Sequence, residues 1–381
     1  MNDQHGLLAG RFPLVESRST VCEARRRAPV AARGWLAGSL LAVASGAGVA
    51  QEPTIDPVLQ RTPEDWIETM ESAFRNLDYD GVFSYSATTH SELRVTQQRG
   101  QRTLGFSAGL SNTKLATFRI VHKVVDGVER ERIVGLDGPH REIVRTGEEI
   151  VYVLESGDEL LNLGEAIPGP YARNLMVGAL ETGDHYRMEV SGGGRVAGRK
   201  AVRLDIVPVA GDRFAHRLWL DEATSLLLRS ELRDTFGRQL EMMQFTSLRL
   251  GNEVALEDLE PSVDGVRVTR QAQHASGFLE TGDSHWASHW SPPGFRVTRA
   301  DSRQDPTDVD VLTFSDGLAS YSVFIETMPE AGAGSVTSRN GATVVLTHVA
   351  SCDSGDHLVT VVGEIPESTA RQVAAGFCQG P

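Results

Sequence analysis

Apolar residues between Thr62 and Gly81 recur with the spacing of an α-helix. Thr62 suits the N-cap position and Pro63 the first helical turn, and the run ends at Gly81. The large apolar side chains fall on one face of that helix: Trp66, Met70, Phe74 and Leu77. The pattern therefore predicts one amphipathic helix that packs this face against another layer of the protein.

From Gly81 to about Leu250, apolar and polar residues alternate with the period of a β-strand. The segments GVFSYSATT, KLATFRIVHKVV, REIVR and EIVYVLE show this alternation, and RFAHRLWLDEATSLLLRSELRDTFGRQLEMMQF predicts three further strands joined by turns. Successive strands with short turns predict an antiparallel sheet with one face toward water. On that exposed face we expect cross-strand ion pairs among these residues: Arg141, Glu142, Arg145 and Glu148.

The alternation stops near residue 251, and residues 256–285 are interpreted as a linker because they show no sustained period. Residues 286–381 contain the strand-like segments FRVTRADSR, DVLTFSDGLASYSVFIE, GATVVLTHVAS and HLVTVVGEI, and they end in the helical segment PESTARQVAAGF. The chain is therefore predicted to be α+β, with a large N-terminal domain over residues 51–255 and a smaller mixed α/β C-terminal domain over residues 286–381.

Residues 1–50 have the features of an export signal. Arginines at 25–27 and 33 precede the small and apolar stretch WLAGSLLAVASGAGV, and Gly48 and Ala50 are small residues at the positions that determine cleavage. We expect cleavage after Ala50 and export of the rest of the chain. The formal net charge of −14 argues against nucleic acid as a partner, because phosphate binding needs a basic face.

Cys352 and Cys378 are the cysteines that follow the predicted signal. An exported protein meets an oxidising compartment, so a disulfide between them is predicted. Two separate thiols are the alternative.

No segment has the pattern of a catalytic or metal-binding site. GGGRVAG at residues 192–198 contains a loose dinucleotide-binding spacing, but a strand follows where a helix is needed, so it predicts a hairpin turn. His285 and His289 have the i, i+4 spacing of zinc ligands on a helix, but Ser, Pro and Gly around them disfavour a helix and no third ligand is evident. We expect no enzyme and no cofactor or metal; a hydrolase that uses either histidine is an alternative.

A large antiparallel sheet that curves over one amphipathic helix would enclose an apolar groove, which is the usual kind of ligand site. The candidate lining residues come from the helix and the strands: Trp66, Met70, Phe74, Phe83, Tyr85 and Tyr152. The alternative is that these side chains simply fill the core.

The order of several segments resembles the RseB/MucB family of periplasmic regulators of the envelope-stress sigma factor. The segments that carry the resemblance are LDGPHREIVRTGEEIVYV, HRLWLDEATSLLLRSELRD, WSPPGFR, FSDGLASYSVFIE and VVGEIPESTARQVA. None of them is diagnostic alone, and the resemblance rests on their order after an export signal. It covers nearly the whole chain beyond residue 50.

The resemblance implies that the large domain is a curved, unclosed antiparallel sheet like that of the lipoprotein carriers LolA and LolB, with helices plugging its concave side. It also implies a partner, the periplasmic part of a membrane-spanning anti-sigma factor of the RseA/MucA type. The family shields this partner from the site-one protease and releases it when envelope lipid such as lipopolysaccharide binds. A homodimer is left open, and the Cys352–Cys378 bridge is not a general feature of the family.

For the partner site we choose the junction between the domains, around Trp286, Trp290 and Phe295, because exposed aromatic residues near a linker often anchor partners. The alternative is that these rings pack in the core of the small domain. The runner-up function is a periplasmic lipid or lipoprotein carrier, which the presence of a second domain argues against.

Overall fold

The computed structural model describes residues 60–96, 110–154, 183–251, 254–262, 266–271, 286–301, 309–327, 335–352 and 355–379. The predicted signal peptide, its cleavage point and His285 lie outside these residues. Among the described residues, no helix has the length and the apolar character needed to cross a membrane.

Helix α1 spans Pro63–Asn76, as the apolar spacing predicts. Its first turn is closed by a capping box, in which the Thr62 hydroxyl accepts a hydrogen bond from the Asp65 backbone N–H and the Asp65 carboxylate accepts one from the Thr62 backbone N–H, both at 3.1 Å. Trp66, Ile67 and Met70 are buried on one face. The helix therefore depends on both its own cap and the layer that covers this face.

The N-terminal domain is a single antiparallel sheet that forms an open half-barrel. Its strands are β1 (Tyr79–Thr96), β2 (Leu110–Val125), β3 (Val128–Gly135), β4 (Arg141–Thr146), β5 (Glu149–Leu154), β6 (Tyr186–Val196), β7 (Arg199–Pro208), β8 (Ala215–Asp221), β9 (Leu227–Arg233), β10 (Gln239–Leu250) and β11 (Val266–Gln271). Strands β1 to β5 form one meander and β6 to β10 form another, and the two meanders join where β1 pairs with β10. The predicted meander is thus confirmed, and the segment 192–198 lies in the β6–β7 hairpin as expected.

The concave face of this sheet packs against α1. Large apolar side chains from both meanders meet the helix in one buried cluster, which includes Phe83, Phe118, Leu204, Leu218 and Phe245. Gly81 lies where β1 passes close to β10, and a Cβ at this position would stand 2.6 Å from the Phe245 ring. Only glycine therefore permits this approach of the two strands that join the meanders.

The C-terminal domain is an antiparallel sheet with one helix packed on it. The elements are β12 (Trp286–Ser288), β13 (Arg296–Asp301), β14 (Asp310–Ser315), β15 (Ser320–Thr327), β16 (Ser335–Asn340), β17 (Thr343–Cys352), β18 (Gly355–Gly363), α2 (Glu367–Ala375) and β19 (Phe377–Gln379). The strand order is β13-β14-β15-β18-β17-β16, and β12 pairs separately with β19. Helix α2 packs on β17 and β18 through Ala370, Val373 and Ala374. The predicted α+β fold class is confirmed.

Part of the segment interpreted as a linker belongs to the N-terminal sheet. Residues 266–271 form β11, which pairs with β5 in register from Val266 opposite Leu154 to Gln271 opposite Glu149. A short 3₁₀ helix at Leu256–Leu259 also packs against this domain through the buried Leu259. The alternation of apolar and polar residues in β11 is too short for the sequence to distinguish this strand from a connector.

The expectation that Glu142 and Arg145 lie on an exposed face is wrong. Glu142 is 1% exposed and accepts two hydrogen bonds from Arg132, each 3.0 Å, rather than pairing with Arg141 or Arg145. Arg145 is 4% exposed and pairs with Glu129 at 2.6 Å. For Glu142 the physical reason is that the chain at 254–262 passes over its face of β4, where the backbone N–H of Ser262 also donates to its carboxylate. Arg145 lies on the opposite face of β4, the face that carries Ile143 of the buried core cluster.

We expect Thr62→Ala to lower the free energy of unfolding by about 1 kcal/mol, because it removes the acceptor that caps the first turn of α1. Urea unfolding followed by circular dichroism measures this change. The matched control is Thr235→Ala in the exposed turn after β9, which should change the free energy by less than about 0.5 kcal/mol. Equal losses in the two variants would contradict a role for the cap.

Candidate functional site

The two domains meet at a contact that we call the seam. Its main-chain part is strand β1, which pairs with strands of both domains. β10 pairs with the first half of β1, from Tyr79 to Ala87. β16 of the C-terminal domain pairs with the same edge further along, from Thr89 to Thr96. The C-terminal domain is therefore fixed to the N-terminal sheet by strand hydrogen bonds. Two side-chain clusters complete the seam, one at Arg213 and Asp316 and the other at Glu241 and Ala342.

The first cluster is a buried ion pair between the domains. Arg213, in the turn before β8, is 1% exposed and donates to the Asp316 carboxylate, which lies in the turn after β14. Asp316 also accepts a hydrogen bond from the Tyr186 hydroxyl at 2.8 Å and from the backbone N–H groups of Leu318 and Ala319 at 2.9 and 2.7 Å. Every charged group in this cluster is thus hydrogen-bonded, as burial requires.

Aromatic rings and a carbonyl enclose the Arg213 guanidinium. It lies 4.8 Å from the centre of the Phe295 ring and donates to the Pro293 carbonyl at 2.6 Å. Burial lowers the pKa of Arg213, but the hydrogen bond that it donates to Asp212 and the charges of Tyr186 and Asp316 outweigh this effect, so the net shift is upward. Arg213 therefore stays charged and contacts both the N-terminal turn and the C-terminal domain.

A neighbouring histidine, His216, stays neutral because it is buried. His216, on β8, is buried, and burial lowers its pKa to about 4 although the charge of Asp316 opposes this. Its Nδ1 has no hydrogen-bond partner among the described residues. His216 is therefore neutral at neutral pH, whereas Arg213, which also lies near Asp316, is charged.

The second cluster places a carboxyl group of the N-terminal sheet under a turn of the C-terminal domain. Glu241, on β10, accepts a hydrogen bond from the Ala342 backbone N–H at 2.6 Å. Gly341 has φ +61, and a Cβ there would stand 2.1 Å from a Glu241 oxygen, so only glycine fits this turn against the carboxyl group. Apolar side chains surround the contact: Phe214, Leu232, Leu240 and Ala342.

The predicted groove residues all lie on the concave side of the sheet, in or against one cluster. Trp66, Met70 and Phe83 are buried, and Phe74, Tyr85 and Tyr152 are partly buried against them. Their side chains fill the space between helix and sheet in this structure. The use of this space for lipid stays a prediction.

The predicted partner-binding aromatics lie on the C-terminal domain. Phe295 is buried in its core and contacts Arg213 at the seam. Trp286 and Trp290 are partly buried against the same core, and the Trp286 indole N–H donates to Asp310 at 2.7 Å. For Phe295 the structure favours the packing alternative, since little of the ring is accessible to a partner. A partner-binding role for this set stays a prediction.

The spacing of apolar and polar residues does not point to the residues that make the seam. Arg213, Asp316 and Glu241 lie in or beside turns, where charged residues are usually solvated. Asp316 lies in FSDGLASYSVFIE, a segment that carries the family resemblance but has no pattern of a binding site.

Two further expectations concern thiols and metal ions. The structure does not describe the side chains of Cys352 and Cys378, so the disulfide between them stays a prediction. His289 is exposed after β12. Within the described ranges, no group of three or more His, Cys, Asp and Glu side chains is placed to hold a metal ion.

Comparison with known families matches both domains. Residues 105–263 match the family model of the MucB/RseB N-terminal domain, and residues 280–377 match that of the MucB/RseB C-terminal domain. The chain belongs to the MucB/RseB family. The family assignment that the sequence resemblance predicted is therefore confirmed.

Relatives in this MucB/RseB family are named as regulators of sigma factors. The chain is 33% identical over 316 residues to the sigma factor AlgU regulatory protein MucB of Pseudomonas aeruginosa, covering 81% of this chain and 89% of the relative. It is 26% identical over 269 residues to the sigma-E factor regulatory protein RseB of Escherichia coli K12. This alignment covers 68% of this chain and 80% of the relative.

Solved structures of MucB have the same fold as this MucB/RseB-family chain. The Pseudomonas aeruginosa MucA/MucB complex matches with a TM-score of 0.64 and 30% identity over 84% of this chain and 99% of that chain. A crystal structure of MucB in complex with MucA(peri) matches with a TM-score of 0.61 and 31% identity. The match covers 84% of this chain and 100% of that chain.

We expect Arg213→Ala to lower the free energy of unfolding by about 3–5 kcal/mol, because it leaves the Asp316 carboxylate buried without its cation. Urea unfolding measures the loss. Arg75→Ala, which removes an exposed ion pair with Glu71, is the control and should cost less than about 1 kcal/mol. Similar losses in Arg213→Ala and Arg75→Ala would contradict a buried ion pair at the seam.

Proposed function

We propose that this protein is a periplasmic regulator that holds the periplasmic part of a membrane-spanning anti-sigma factor and shields it from the site-one protease. The observation that carries the proposal is the match, over most of the chain, to MucB in structures that also contain MucA. The names of the relatives, regulators of AlgU and of sigma-E, support the same role. The export signal predicted for residues 1–50 supports a location in the periplasm.

The two-domain arrangement supports a binding role in which domain position matters. The seam joins the domains through strand pairing and through two compact clusters, and each cluster joins a turn of one domain to the other. A partner that contacts both domains would gain affinity when the seam is closed, because its two contact surfaces are then held in place. We infer that the partner site extends across the seam, close to Phe295.

Release requires a ligand that binds the two states unequally. A lipid that enters between α1 and the sheet would separate side chains that now pack together, among them Trp66 and Phe83. If the resulting state binds the partner more weakly, lipid and partner each lower the affinity of the other by the same factor. We propose that envelope lipid displaced by stress acts in this way.

The test of partner binding uses the purified chain from residue 51 and the periplasmic segment of the anti-sigma factor from the same organism. We expect a complex in a pull-down without lipid, and we expect the chain to slow cleavage of that segment by the site-one protease. An unrelated acidic periplasmic protein is the control for charge. Absence of a complex, or cleavage at an unchanged rate in the presence of a complex, would refute the proposal.

Lipid linkage is tested by titrating lipopolysaccharide into the preformed complex. Partner affinity should fall as lipid is added, and the affinity for lipid should fall by the same factor when partner is present, because the coupling is reciprocal. Isothermal titration calorimetry measures both the affinity for the partner and the affinity for the lipid. An unchanged partner affinity at saturating lipid would contradict release by lipid while leaving the binding role intact.

A further inference from the structure

Exposed apolar residues gather at one end of the N-terminal sheet, where the β9–β10 turn lies beside the β7–β8 loop. Phe236, in that turn, is 84% exposed. Val207, near the end of β7, and Val209, in the loop that follows, are both half-exposed. We call this end of the sheet, residues 207–211 and 234–238, the tip. Large apolar side chains that meet water at one place mark a surface that another molecule covers.

Hydrogen bonds fix the shape of the tip, so the exposure of Phe236 is built into the fold. The Asp234 carboxylate accepts hydrogen bonds from the backbone N–H groups of Phe236 and Arg238, at 2.9 and 2.8 Å. The Arg238 side chain also donates to Asp234 at 2.7 Å and lies 5.4 Å from the centre of the Phe236 ring. The loop adjoins the turn, since a Cβ at Gly211 would lie 3.7 Å from the Thr235 side chain. The turn thus holds an aromatic ring outward.

Arginine side chains cover the convex face of the sheet that leads to the tip. Strands β7, β8 and β9 are neighbours in the sheet, and the side chains that alternate with their buried residues point away from the core. Four of these outward side chains are arginines: Arg203 on β7, Arg217 on β8, and Arg229 and Arg233 on β9. Val207 lies on the same face of β7 as Arg203, so the cationic and apolar surfaces are continuous.

The carboxylates on this face lie deeper than the arginines around them. Two carboxylates each accept hydrogen bonds from two of these arginines: Asp205 from Arg203 and Arg217, and Glu231 from Arg229 and Arg233. The Glu231 side chain is 1% exposed and that of Asp205 14%, whereas the four arginine side chains are 28% to 35% exposed. Four positive charges therefore stand over two negative ones, and the positive charge is outermost.

The arginines on β7 and β8 keep hydrogen-bond donors free for a ligand. Arg203 and Arg217 donate to Asp205 through Nε, and their Nη atoms have no partner among the residues that the structure describes. Asp205 and Arg217 lie directly opposite each other on the two strands, so both guanidinium groups flank one carboxylate. A guanidinium group binds phosphate through paired N–H groups, and these are the donors left over here.

We propose that the tip and this arginine face dock the protein on the surface of an anionic lipid bilayer, with Phe236 and the two valines among the headgroups and the arginines on the lipid phosphates. The inference goes beyond the proposed partner binding and needs no partner. It also differs from a lipid held between α1 and the sheet, because the tip residues lie outside the cluster that fills that space.

The shape and charge of the surface favour a bilayer over a protein as the occupant. Aromatic anchors of protein interfaces usually lie in packed pockets, whereas Phe236 projects from a turn. Apolar side chains beside arginines are typical of surfaces that lie at the boundary between headgroups and acyl chains. The formal net charge of −14 does not prevent this, because at physiological ionic strength charges more than about 8 Å away are largely screened.

The test is cosedimentation of the purified chain from residue 51 with lipid vesicles. The predicted export signal is left out because it is apolar and basic and would itself bind lipid. Vesicles of phosphatidylglycerol provide an anionic surface, and vesicles of phosphatidylcholine provide a neutral one. We expect binding to the anionic vesicles and little binding to the neutral ones. The binding should fall at about 1 M salt, where the Debye length is about 3 Å.

Two variants separate the apolar contact from the charge. Phe236→Ser should lower binding to the anionic vesicles roughly tenfold, because no ring leaves water. Arg203→Gln should lower it about fivefold, which is the contribution of one cation near an anionic surface. Leu136→Ser, in the exposed loop after β3, and Arg75→Gln, on α1, are the matched controls and should leave binding unchanged. Circular dichroism should show the same melting temperature in all four variants, since none of these side chains is buried.

Three results would overturn docking on a bilayer. The first is no binding to phosphatidylglycerol vesicles. The second is equal binding to both kinds of vesicle, which would remove the role of the arginines. The third is the same loss in Phe236→Ser and Leu136→Ser. If Phe236→Ser instead weakens the complex with the anti-sigma factor segment while no vesicles are bound, the tip is a protein contact and the proposal is wrong.

Discussion

The hydrogen bonds of strand β1 hold this molecule together. One edge of β1 pairs with β2, and the other pairs first with β10 and then with β16. The first meander, the second meander and the C-terminal domain thus all depend on one strand. Gly81 is part of this arrangement, because any larger residue would force β1 away from Phe245 on β10.

Buried charge then determines how the domains are positioned. Strand pairing alone allows a sheet to twist and bend, whereas Arg213, held by Asp212, Asp316 and the Pro293 carbonyl, accepts one arrangement of both turns. Such ion pairs contribute little net stability compared with apolar packing, but breaking one is costly. They therefore suit a connection that must be specific when closed and that can still be opened by a change in charge or by a ligand.

The sequence predicts the features that depend on the local spacing of apolar and polar residues. The apolar stripe of α1 and the alternation in β1 to β10 identified the elements, and the order of short segments identified the family. The sequence could not distinguish Glu142 or Arg145 from solvated residues, because Arg and Glu alternate in the same way whether they meet water or are buried. Glu142 is covered by the chain at 254–262, whereas Arg145 lies on the opposite face of β4. The seam was also invisible, since Glu241 and Ala342 come together only after two distant sheets have formed.

The pairing of β1 with β10 has a consequence for how the chain reaches this fold. Tyr79 lies opposite Leu250, so one edge of β1 has no neighbour until most of the N-terminal domain has been synthesised, and its far end waits longer still for β16. Long-range pairing of this kind slows folding, and an unpaired strand edge is a site where chains associate with one another. Meander β1–β5, whose strands are neighbours in sequence, can form first and present that edge. The chain is therefore most exposed to aggregation until β10, and then β16, has paired with that edge.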